Sequence, residues 1–437
     1  MERIKKYWKQ VLFFLSIMGP GLITASADND SGGIATYAVA GAQYGYALLW
    51  TLIPVTLLLI YTLDISTKLG VVTHQGLAAL IREKFRVKLT VPLLLLVFVA
   101  NFGTTVSEFA GISSSFNIIG SQVGLYQKTV SNISWLSGLS WGSLLQSIAV
   151  ILCALLIWVF VVKGDYKRVE KVFLTLILFY VAYIISAVLA KPDWHAALTA
   201  LVVPTFKNDP NFIFTTIGLI GTTITPWMYF YHNSTVAEKG ISEEDIKYSR
   251  MDSMFGALIT DIVAFFIIVA SAATIFVNKL SVTTVEDIGR SLVPLAGVYA
   301  GYLFSFGLLN ASIFAAAILP LSTSYIICEA LGWETGIDRG FMDAPQFYTI
   351  FTTMIVVSSL IILIPGMPLL MIMRVSQVAN GVLLPFFLVY LLLLAEDKRL
   401  MGKYATQGVL RVIGWLVAAL LIVLDILLVF GPIFTHV

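Results

Sequence analysis

The sequence predicts an all-α membrane protein, a single polytopic bundle of about eleven transmembrane helices. Of its 437 residues, 58% are apolar and only 12% are charged, and the mean hydropathy is +0.91. Stretches of about 20 apolar residues, long enough to cross a bilayer as a helix, recur with connections too short for a soluble domain. The predicted spans lie near residues 11–41, 45–67, 91–117, 142–163, 169–190, 211–234, 252–277, 297–330, 348–365, 371–395 and 408–432.

Basic residues predict how these helices are oriented. Twenty-one of the 27 Lys and Arg residues fall on the side of the N-terminus, and loops rich in Lys and Arg stay in the cytoplasm. We therefore expect a bacterial-type plasma membrane protein with a cytoplasmic N-terminus and an outer C-terminus. Its surroundings are the lipid bilayer, and the basic loops face the lipid surface rather than nucleic acid. The first segment is too long for a signal peptide and is expected to be retained.

Other protein classes leave no signature in the sequence. There is no Walker loop, nucleotide fingerprint, zinc-ligand spacing or Ser-His-Asp arrangement. We therefore expect no enzymatic activity and no bound cofactor, and primary pumping would need a partner subunit. Cys153 and Cys328 both lie in apolar segments, where a role in packing is expected rather than a disulfide.

The first span contains a polar interruption, Asp28-Asn29-Asp30-Ser31-Gly32-Gly33. A carboxylate at bilayer depth costs about 3 kcal/mol and is found mainly where it faces a cavity, a partner or an ion. The two glycines are expected to let the backbone leave the helix beside the acids. Non-helical backbone in a membrane lines a cavity or is buried in protein, so this segment predicts a substrate site.

The sixth span is interrupted by Pro226, within the segment 218–234. Proline cannot donate to the helix and clashes with the preceding turn, which frees the carbonyl groups around Thr222 and Thr223. Thr222 and Thr225 are three residues apart and are expected to share one face at the break. Alone, Pro226 predicts no more than a kink, but its position matches the interruption in the first span.

Paired interruptions at corresponding positions are typical of transporters built from inverted repeats. We expect one repeat at about 11–190, a second at about 211–395, and an extra helix at about 408–432. The half-helix ends and the free carbonyl groups would then form a site near the bilayer midplane.

At these residues the chain resembles the Nramp family of divalent metal transporters, in a divergent branch like the Nramp-related magnesium transporters. The resemblance covers most of the chain and rests on the segments 19–21, 41–50, 107–108, 376–378, 384–386 and 399–402. It implies two inverted five-helix repeats with extra C-terminal helices, the fold of the amino-acid–polyamine–organocation superfamily.

The family's first-helix motif, Asp-Pro-Gly-Asn, departs in this sequence. Aligned on Gly-Pro-Gly, its aspartate falls on Asp30 and its asparagine ligand on Gly33. The resemblance implies a metal site at Asp30, with an unwound carbonyl group near Ala27. Asp28 either adds a second carboxylate or points elsewhere, if its turn stays helical.

The other site motifs carry over in part. The family's sixth-helix motif Met-Pro-His falls on Thr225, Pro226 and Trp227, and the family alanine whose carbonyl contacts metal falls on Thr222. A later family histidine matches His232, and the tenth-helix glutamine matches Gln377. Loss of the thioether removes a soft ligand, and hard oxygens suit magnesium, which keeps several waters. Gly33 is expected to open space for a hydrated ion. The implied substrate is magnesium, with manganese also accepted, carried by a protein that works as a monomer.

The proton pathway also departs from the family pattern. Glu108 remains in the third span, but the family's acidic partner position is Thr105, and the segment 348–365 contains no arginine. A proton relay needs titratable groups across the membrane. We therefore expect weak or absent proton coupling, with Glu108 retained in the transport pathway.

Several polar residues keep two interpretations. Asp261 is either hydrogen-bonded to a neighbouring helix in its protonated form or part of an ion path. His232 is either a packed residue or a gating group, and Trp227 is expected to shape the site sterically. Two other functions stay open: transport of a small organic solute such as a cationic amine or amino acid, and a receptor or scaffold with a degenerate site.

Overall fold

The computed structural model describes residues 19–85, 87–125, 140–164, 166–289 and 298–434. Within these ranges the chain is a bundle of α-helices joined by short loops. The helices are α1 Pro20–Ser26, α2 Ser31–Tyr44, α3 Leu52–Thr73, α4 Leu77–Lys84, α5 Val87–Gln122, α6 Trp141–Val162, α7 Tyr166–Ile177, α8 Val181–Leu189, α9 Trp194–Val202, α10 Pro210–Thr223, α11 Pro226–Lys239, α12 Ile246–Ser271, α13 Val298–Leu331, α14 Pro345–Ile362, α15 Leu369–Ala395, α16 Lys398–Met401 and α17 Val409–Phe434.

The predicted all-α membrane fold is confirmed. Nine helices or joined helix pairs within the described ranges are long and apolar enough to cross a bilayer. Two further spans are each divided into two short helices, α1 with α2 and α10 with α11. Together these give the eleven predicted spans. The part of the predicted first span before residue 19 lies outside the described residues.

Helix boundaries follow local sequence signals. Asp209 precedes α10, where its carboxylate accepts a hydrogen bond from the Asn211 amide, and Pro210 takes the first helical position, which needs no amide donor. Gly240 ends α11 with a left-handed backbone, a conformation that costs glycine little. The predicted break at Pro226 is therefore a stop followed by a restart, and α11 begins at the proline itself.

The two divided spans lie in the interior of the bundle. Every residue from 19 to 42 is buried, and so is every residue from 217 to 236. By contrast, most residues of α17 are exposed, whereas most of α13 is buried. The extra C-terminal helix is thus peripheral, and the polar interruptions are enclosed by the unbroken helices.

Glycines allow the broken helices to approach their neighbours closely. A Cβ atom at Gly21 would lie 2.5 Å from the Ser253 amide nitrogen on α12, and one at Gly221 would lie 2.2 Å from the Gln377 carbonyl oxygen on α15. Close backbone approach through small residues is the usual way in which membrane helices pack. This packing fixes α1 against α12 and α10 against α15.

Candidate metal site between two broken helices

The first break spans residues 27 to 30. Asp30 has an extended backbone, with φ −73° and ψ 176°, and caps α2 by accepting a hydrogen bond from the Gly33 amide at 2.5 Å. Aspartate is among the preferred residues at this position because its carboxylate satisfies a free amide of the first turn. The expectation that the glycines form the break was wrong, since Gly32 and Gly33 lie within the first turn of α2.

Instead, the two glycines allow neighbouring side chains and backbone to approach α2 closely. A Cβ atom at Gly32 would lie 2.2 Å from Nε2 of Gln377, and one at Gly33 would lie 2.5 Å from the Thr222 hydroxyl oxygen and 2.8 Å from the Asp28 carbonyl oxygen. The sequence suggested that Gly33 opens space for a hydrated ion, but Thr222 and Asp28 fill that space. It brings the second break directly against the first.

The second break lies at Ile224 and Thr225. Ile224 ends α10 with φ −133° and ψ 81°, and Thr225 precedes α11 with φ −86° and ψ 144°. Because Pro226 has no amide hydrogen, the Thr222 carbonyl group loses its helical donor. The Thr222 hydroxyl oxygen is also fully buried, with no hydrogen-bond partner in the described part of the chain.

Asp28 joins the two breaks. The Thr225 hydroxyl donates a hydrogen bond to its Oδ1 atom at 3.0 Å. Its Oδ2 atom is buried and, among the described residues, accepts no hydrogen bond. Residue 28 lies in the unwound segment and its side chain points toward Thr225, so the helical turn that would direct Asp28 elsewhere is not formed.

Gln377 holds the Asp30 carboxylate from α15. Its Nε2 atom donates to both oxygens, at 3.0 Å to Oδ1 and 2.9 Å to Oδ2. Its Oε1 atom accepts from Asn380 at 3.3 Å, and Asn380 also donates to the Thr104 hydroxyl oxygen at 3.1 Å. Asn380 and Thr104 were not predicted. A chain of amides thus connects α5 and α15 to the first break.

Glu108 supports the start of α2 from α5. Its Oε2 atom accepts a hydrogen bond from the Ser31 amide at 3.0 Å, and the Ser31 hydroxyl donates to the Ser107 carbonyl oxygen at 2.8 Å. The other carboxylate oxygen is buried without a hydrogen-bond partner in the described ranges. Glu108 therefore lies at the site itself, beside the helix end that carries Asp30.

The site is rich in oxygen atoms, and no Lys or Arg of the described ranges forms an ion pair with its carboxylates. The ion pairs found among the described residues all lie elsewhere. No three His, Cys, Asp or Glu side chains of the described ranges are arranged to hold a metal ion by themselves. Buried carboxylates without a partner are costly, so a cation held by carboxylate, hydroxyl and carbonyl oxygens together suits this arrangement.

Comparison with known proteins agrees with this fold. Residues 21–431 match the family model described as Natural resistance-associated macrophage protein-like, Nramp. The chain belongs to the Nramp family. A relative from Klebsiella pneumoniae, named divalent metal cation transporter MntH, is 26% identical over 95% of this chain and 94% of its own length. A relative of the same name from Yersinia pestis is 27% identical over 94% of both chains.

Solved structures show the same fold. The manganese transporter of Eremococcus coleocola superposes with a TM-score of 0.73 at 19% identity, covering 96% of this chain and 87% of its own. MhsT in complex with L-phenylalanine gives a TM-score of 0.62 at 16% identity, covering 93% and 98%. These likenesses concern the fold. As a member of the Nramp family, the protein is a multi-pass membrane transporter.

In this Nramp protein, Trp227 and His232 lie on α11 behind the second break. Trp227 is buried, and its carbonyl oxygen accepts from the Ser322 hydroxyl at 3.3 Å. His232 shares hydrogen bonds through Nε2 with the Thr67 hydroxyl at 2.9 Å and the Ser253 hydroxyl at 3.1 Å. The contacts of His232 thus tie α11 to α3 and α12, and both interpretations of this residue stay open.

Asp252 and Tyr180 were missed by the sequence reasoning. Asp252, on α12, accepts hydrogen bonds from the amides of Gly19, Gly21 and Leu22, at 3.2, 2.7 and 3.3 Å. The Tyr180 hydroxyl donates to the carbonyl oxygens of Ser26 at 3.0 Å and Asn29 at 3.3 Å. Asp252 therefore holds the start of α1, and Tyr180 holds the unwound segment that follows it. Neither carries a local signal, because each partner is more than 150 positions away.

Proposed function

We propose that this protein imports a divalent cation into the cytoplasm by alternating access, with magnesium as the main substrate and manganese also accepted. The observation that carries the proposal is the buried Asp30 carboxylate, held between two helix breaks and beside the free Thr222 hydroxyl. Asp30 supplies the charge, and Asp28, Thr222, Thr225 and the unwound carbonyl groups near Ala27 and Thr222 supply further oxygens. Gly33 contributes no ligand atom beyond its backbone.

Gln377 would change its hydrogen bonds when an ion binds. Its Nε2 atom now donates to Asp30, whereas a cation is bound by the amide oxygen. A half-turn of the amide would present Oε1 to the ion and Nε2 to Asn380, whose own amide would turn with it because its Nδ2 atom now faces Gln377. The Oδ1 atom of Asn380 is buried and has no partner among the described residues, so it is available to accept that hydrogen bond.

The selectivity follows from the ligand chemistry. The contacts to Asp28 and Asp30 come from hydroxyl, amide and backbone groups, and the family's thioether position is Thr225. Hard oxygen ligands favour magnesium and manganese over softer metals. A site of this kind also accepts an ion that keeps some of its waters.

Weak or absent proton coupling is part of the proposal. Thr105 replaces the family's acid in α5 and bonds its own helix through the Asn101 carbonyl oxygen at 2.7 Å. Helix α14 carries no arginine. At 100 mV, inside negative, the membrane potential favours entry of a divalent ion by about 4.6 kcal/mol, which is sufficient to drive uptake.

Uptake by proteoliposomes tests the proposal. We expect saturable uptake of magnesium and manganese by the wild type, loss of both in Asp30→Ala, and unchanged uptake in the control Asp425→Asn, an acid on the peripheral helix α17. Uptake of an amine or amino acid that depends on Asp30, without metal uptake, would favour the organic solute. A folded protein that carries neither would indicate a receptor or scaffold. Proton flux tied to metal uptake would contradict the uncoupled mechanism.

A further inference from the structure

A groove lies on the outer surface of the bundle, between α3, α12 and the start of α17. Its volume is about 460 Å³, which is in the range of binding clefts for small molecules. One end is charged and the rest is apolar apart from the Tyr61 hydroxyl. The lining residues are Leu57, Ile60, Tyr61, Asp64, Lys247, Arg250, Met251, Met254 and Leu410.

Helices α3 and α12 each present one regular face to the groove. The residues of α3 are 57, 60, 61 and 64, and those of α12 are 247, 250, 251 and 254. This spacing places each set on one side of its helix. An ion pair between Asp64 and Arg250 joins the two helices at the charged end. Apolar side chains follow along both helices, so the groove suits a molecule with a charged head and an apolar tail.

Positive charge is in excess at the charged end of the groove. Arg250 donates from Nε to Oδ1 of Asp64, and the Lys68 Nζ atom lies 2.6 Å from Oδ2 of the same carboxylate. Lys247 forms no ion pair with a described residue, and its Nζ atom lies 4.7 Å from the centroid of the Tyr248 ring. Three cations therefore share one carboxylate. The Arg250 guanidinium has five N–H donors and its side chain is 49% exposed, so it can also bind an anion.

The acidic residues before α12 do not cancel this charge. Glu243, Glu244 and Asp245 lie in the turn that precedes the helix, and none of them lines the groove. Glu243 pairs with Lys403 at 3.0 Å. The Asp245 carboxylate accepts a hydrogen bond from the Ser242 hydroxyl at 2.9 Å. The start of α12 adds the partial positive charge of a helix N-terminus to the same end.

We propose that this groove binds an anionic phospholipid of the phosphatidylglycerol class. Its phosphate contacts Lys247 and Arg250, and one acyl chain lies along Leu57, Met251 and Met254, which are 64%, 41% and 38% exposed. Basic pockets between transmembrane helices on the cytoplasmic side suit anionic headgroups, and the basic loops predict that the charged end faces the cytoplasm. A zwitterionic lipid would bring no net negative charge, and a soluble phosphate would leave the apolar wall uncovered.

Helix α12 connects the groove to the first break. On its buried side, Asp252 accepts amide hydrogens from the start of α1, and the Thr260 hydroxyl donates to the Ala25 carbonyl oxygen at 2.6 Å. Asp261, next in the chain, is also buried, and both interpretations of it stay open. A lipid that holds the outer side of α12 therefore stabilises a helix that positions the break.

Thermal unfolding of the delipidated protein in detergent tests the binding. We expect added phosphatidylglycerol to raise the Tm saturably by about 2 °C. Phosphatidylcholine with the same acyl chains should raise it less, and glycerol 3-phosphate should not raise it. In the double variant Lys247→Gln/Arg250→Gln, the affinity for phosphatidylglycerol should fall about tenfold or more. This variant should fold, because Asp64 keeps its ion pair with Lys68.

The control Arg339→Gln removes an arginine of similar exposure, 51%, from an ion pair with Glu334, and should keep the affinity of the wild type. The single variant Lys247→Gln breaks no ion pair among the described residues and should lose about fivefold. Equal shifts with phosphatidylglycerol and phosphatidylcholine would overturn the recognition of charge. A shift with glycerol 3-phosphate as large as that with the lipid would indicate a soluble anion instead. Unchanged affinity in both groove variants would place the lipid elsewhere.

Uptake in vesicles of defined lipid tests the effect on transport, which rests on the proposed function. Phosphatidylglycerol, compared with phosphatidylcholine alone, should raise divalent uptake several-fold in the wild type and in Arg339→Gln. The rise should be smaller in the double variant, which controls for divalent ions attracted to any anionic membrane. Equal rises in all three would reject the effect on transport.

The two proposals can fail separately. Uptake that depends on Asp30, without a phosphatidylglycerol-specific Tm shift in the wild type, would reject the lipid site and keep the proposed function. A lipid shift that depends on Lys247 and Arg250, without divalent uptake in any vesicle, would reject the proposed function and keep the lipid site.

Discussion

The substitution Gly33→Ala tests how closely the two broken helices must approach. The added Cβ atom would lie 2.5 Å from the Thr222 hydroxyl oxygen, 2.8 Å from the Asp28 carbonyl oxygen and 3.0 Å from Oδ1 of Asp30. Two of these atoms belong to side chains that can rotate. The Asp28 carbonyl group is backbone and can move only with the break itself, so relief of the contact must displace proposed ligand atoms.

The structure allows the size of this effect to be worked out. In a helix, alanine is favoured over glycine by about 1 kcal/mol, while overpacking a buried site costs about 1–3 kcal/mol. The control Gly103→Ala, on α5, gains the helical preference without the cost, because a Cβ atom there would meet nothing within 4 Å. Gly33→Ala should therefore be about 2 kcal/mol less stable than Gly103→Ala. A ligand displaced by up to 1 Å should also weaken the affinity for divalent ions about ten- to a hundredfold.

Two measurements check this prediction. Denaturation of both variants in detergent compares their free energies of unfolding, and proteoliposome uptake compares their apparent affinities for magnesium and manganese. The reasoning would be refuted if Gly33→Ala took up both ions with the affinity of the wild type. Equal stabilities with impaired uptake would show that the contact acts on the ion site and not on packing.

Three further substitutions address the ligands and their supports. Thr225→Met removes the hydroxyl donor to Asp28 and adds a soft ligand, so relative uptake should shift from magnesium toward manganese and cadmium. An unchanged ratio of uptake in competition assays would argue against Thr225 as a selectivity residue. Asp252→Ala removes three buried hydrogen bonds to the start of α1, so α1 should exchange amide hydrogens at least tenfold faster, and unchanged exchange would contradict this support. Asn380→Leu removes the acceptor for the rotated Gln377 amide, so the apparent affinity for divalent ions should fall about tenfold; wild-type affinity would exclude the amide rotation.

The spans were predictable because length and apolarity alone determine whether a helix crosses a bilayer. The position of the second break was also predictable, since Pro226 lacks an amide hydrogen whatever surrounds it. The first break was placed a few residues too late. Gly32 and Gly33 were interpreted as helix breakers, whereas the preference of Asp30 for a helix N-cap decided the boundary. The glycines proved to serve contact with Gln377 and Thr222.

The long-range supports of the site could not have been predicted from the sequence. Asp252 looks like any acid near a helix start, and its role follows from an α1 that is more than 230 positions away. Asn380 and Thr104 likewise gain their role from the packing of α15 against α5. The pattern of residues in the sequence identified the side chains that can bind an ion. It did not identify the side chains that position them.

Unwinding two helices inside a bundle leaves backbone groups that must be satisfied, and the unbroken helices satisfy several of them here. Glu108 from α5 accepts the Ser31 amide, Asp252 from α12 accepts three amides at the start of α1, and Tyr180 donates to two carbonyl groups at its end. Amides that would attract an anion are thus already occupied by carboxylates. The oxygens of Asp28, Glu108 and Thr222 that have no hydrogen-bond partner among the described residues are suited to bind a cation. The hydrogen bonds that stabilise the breaks therefore also determine the sign of the charge that the site accepts.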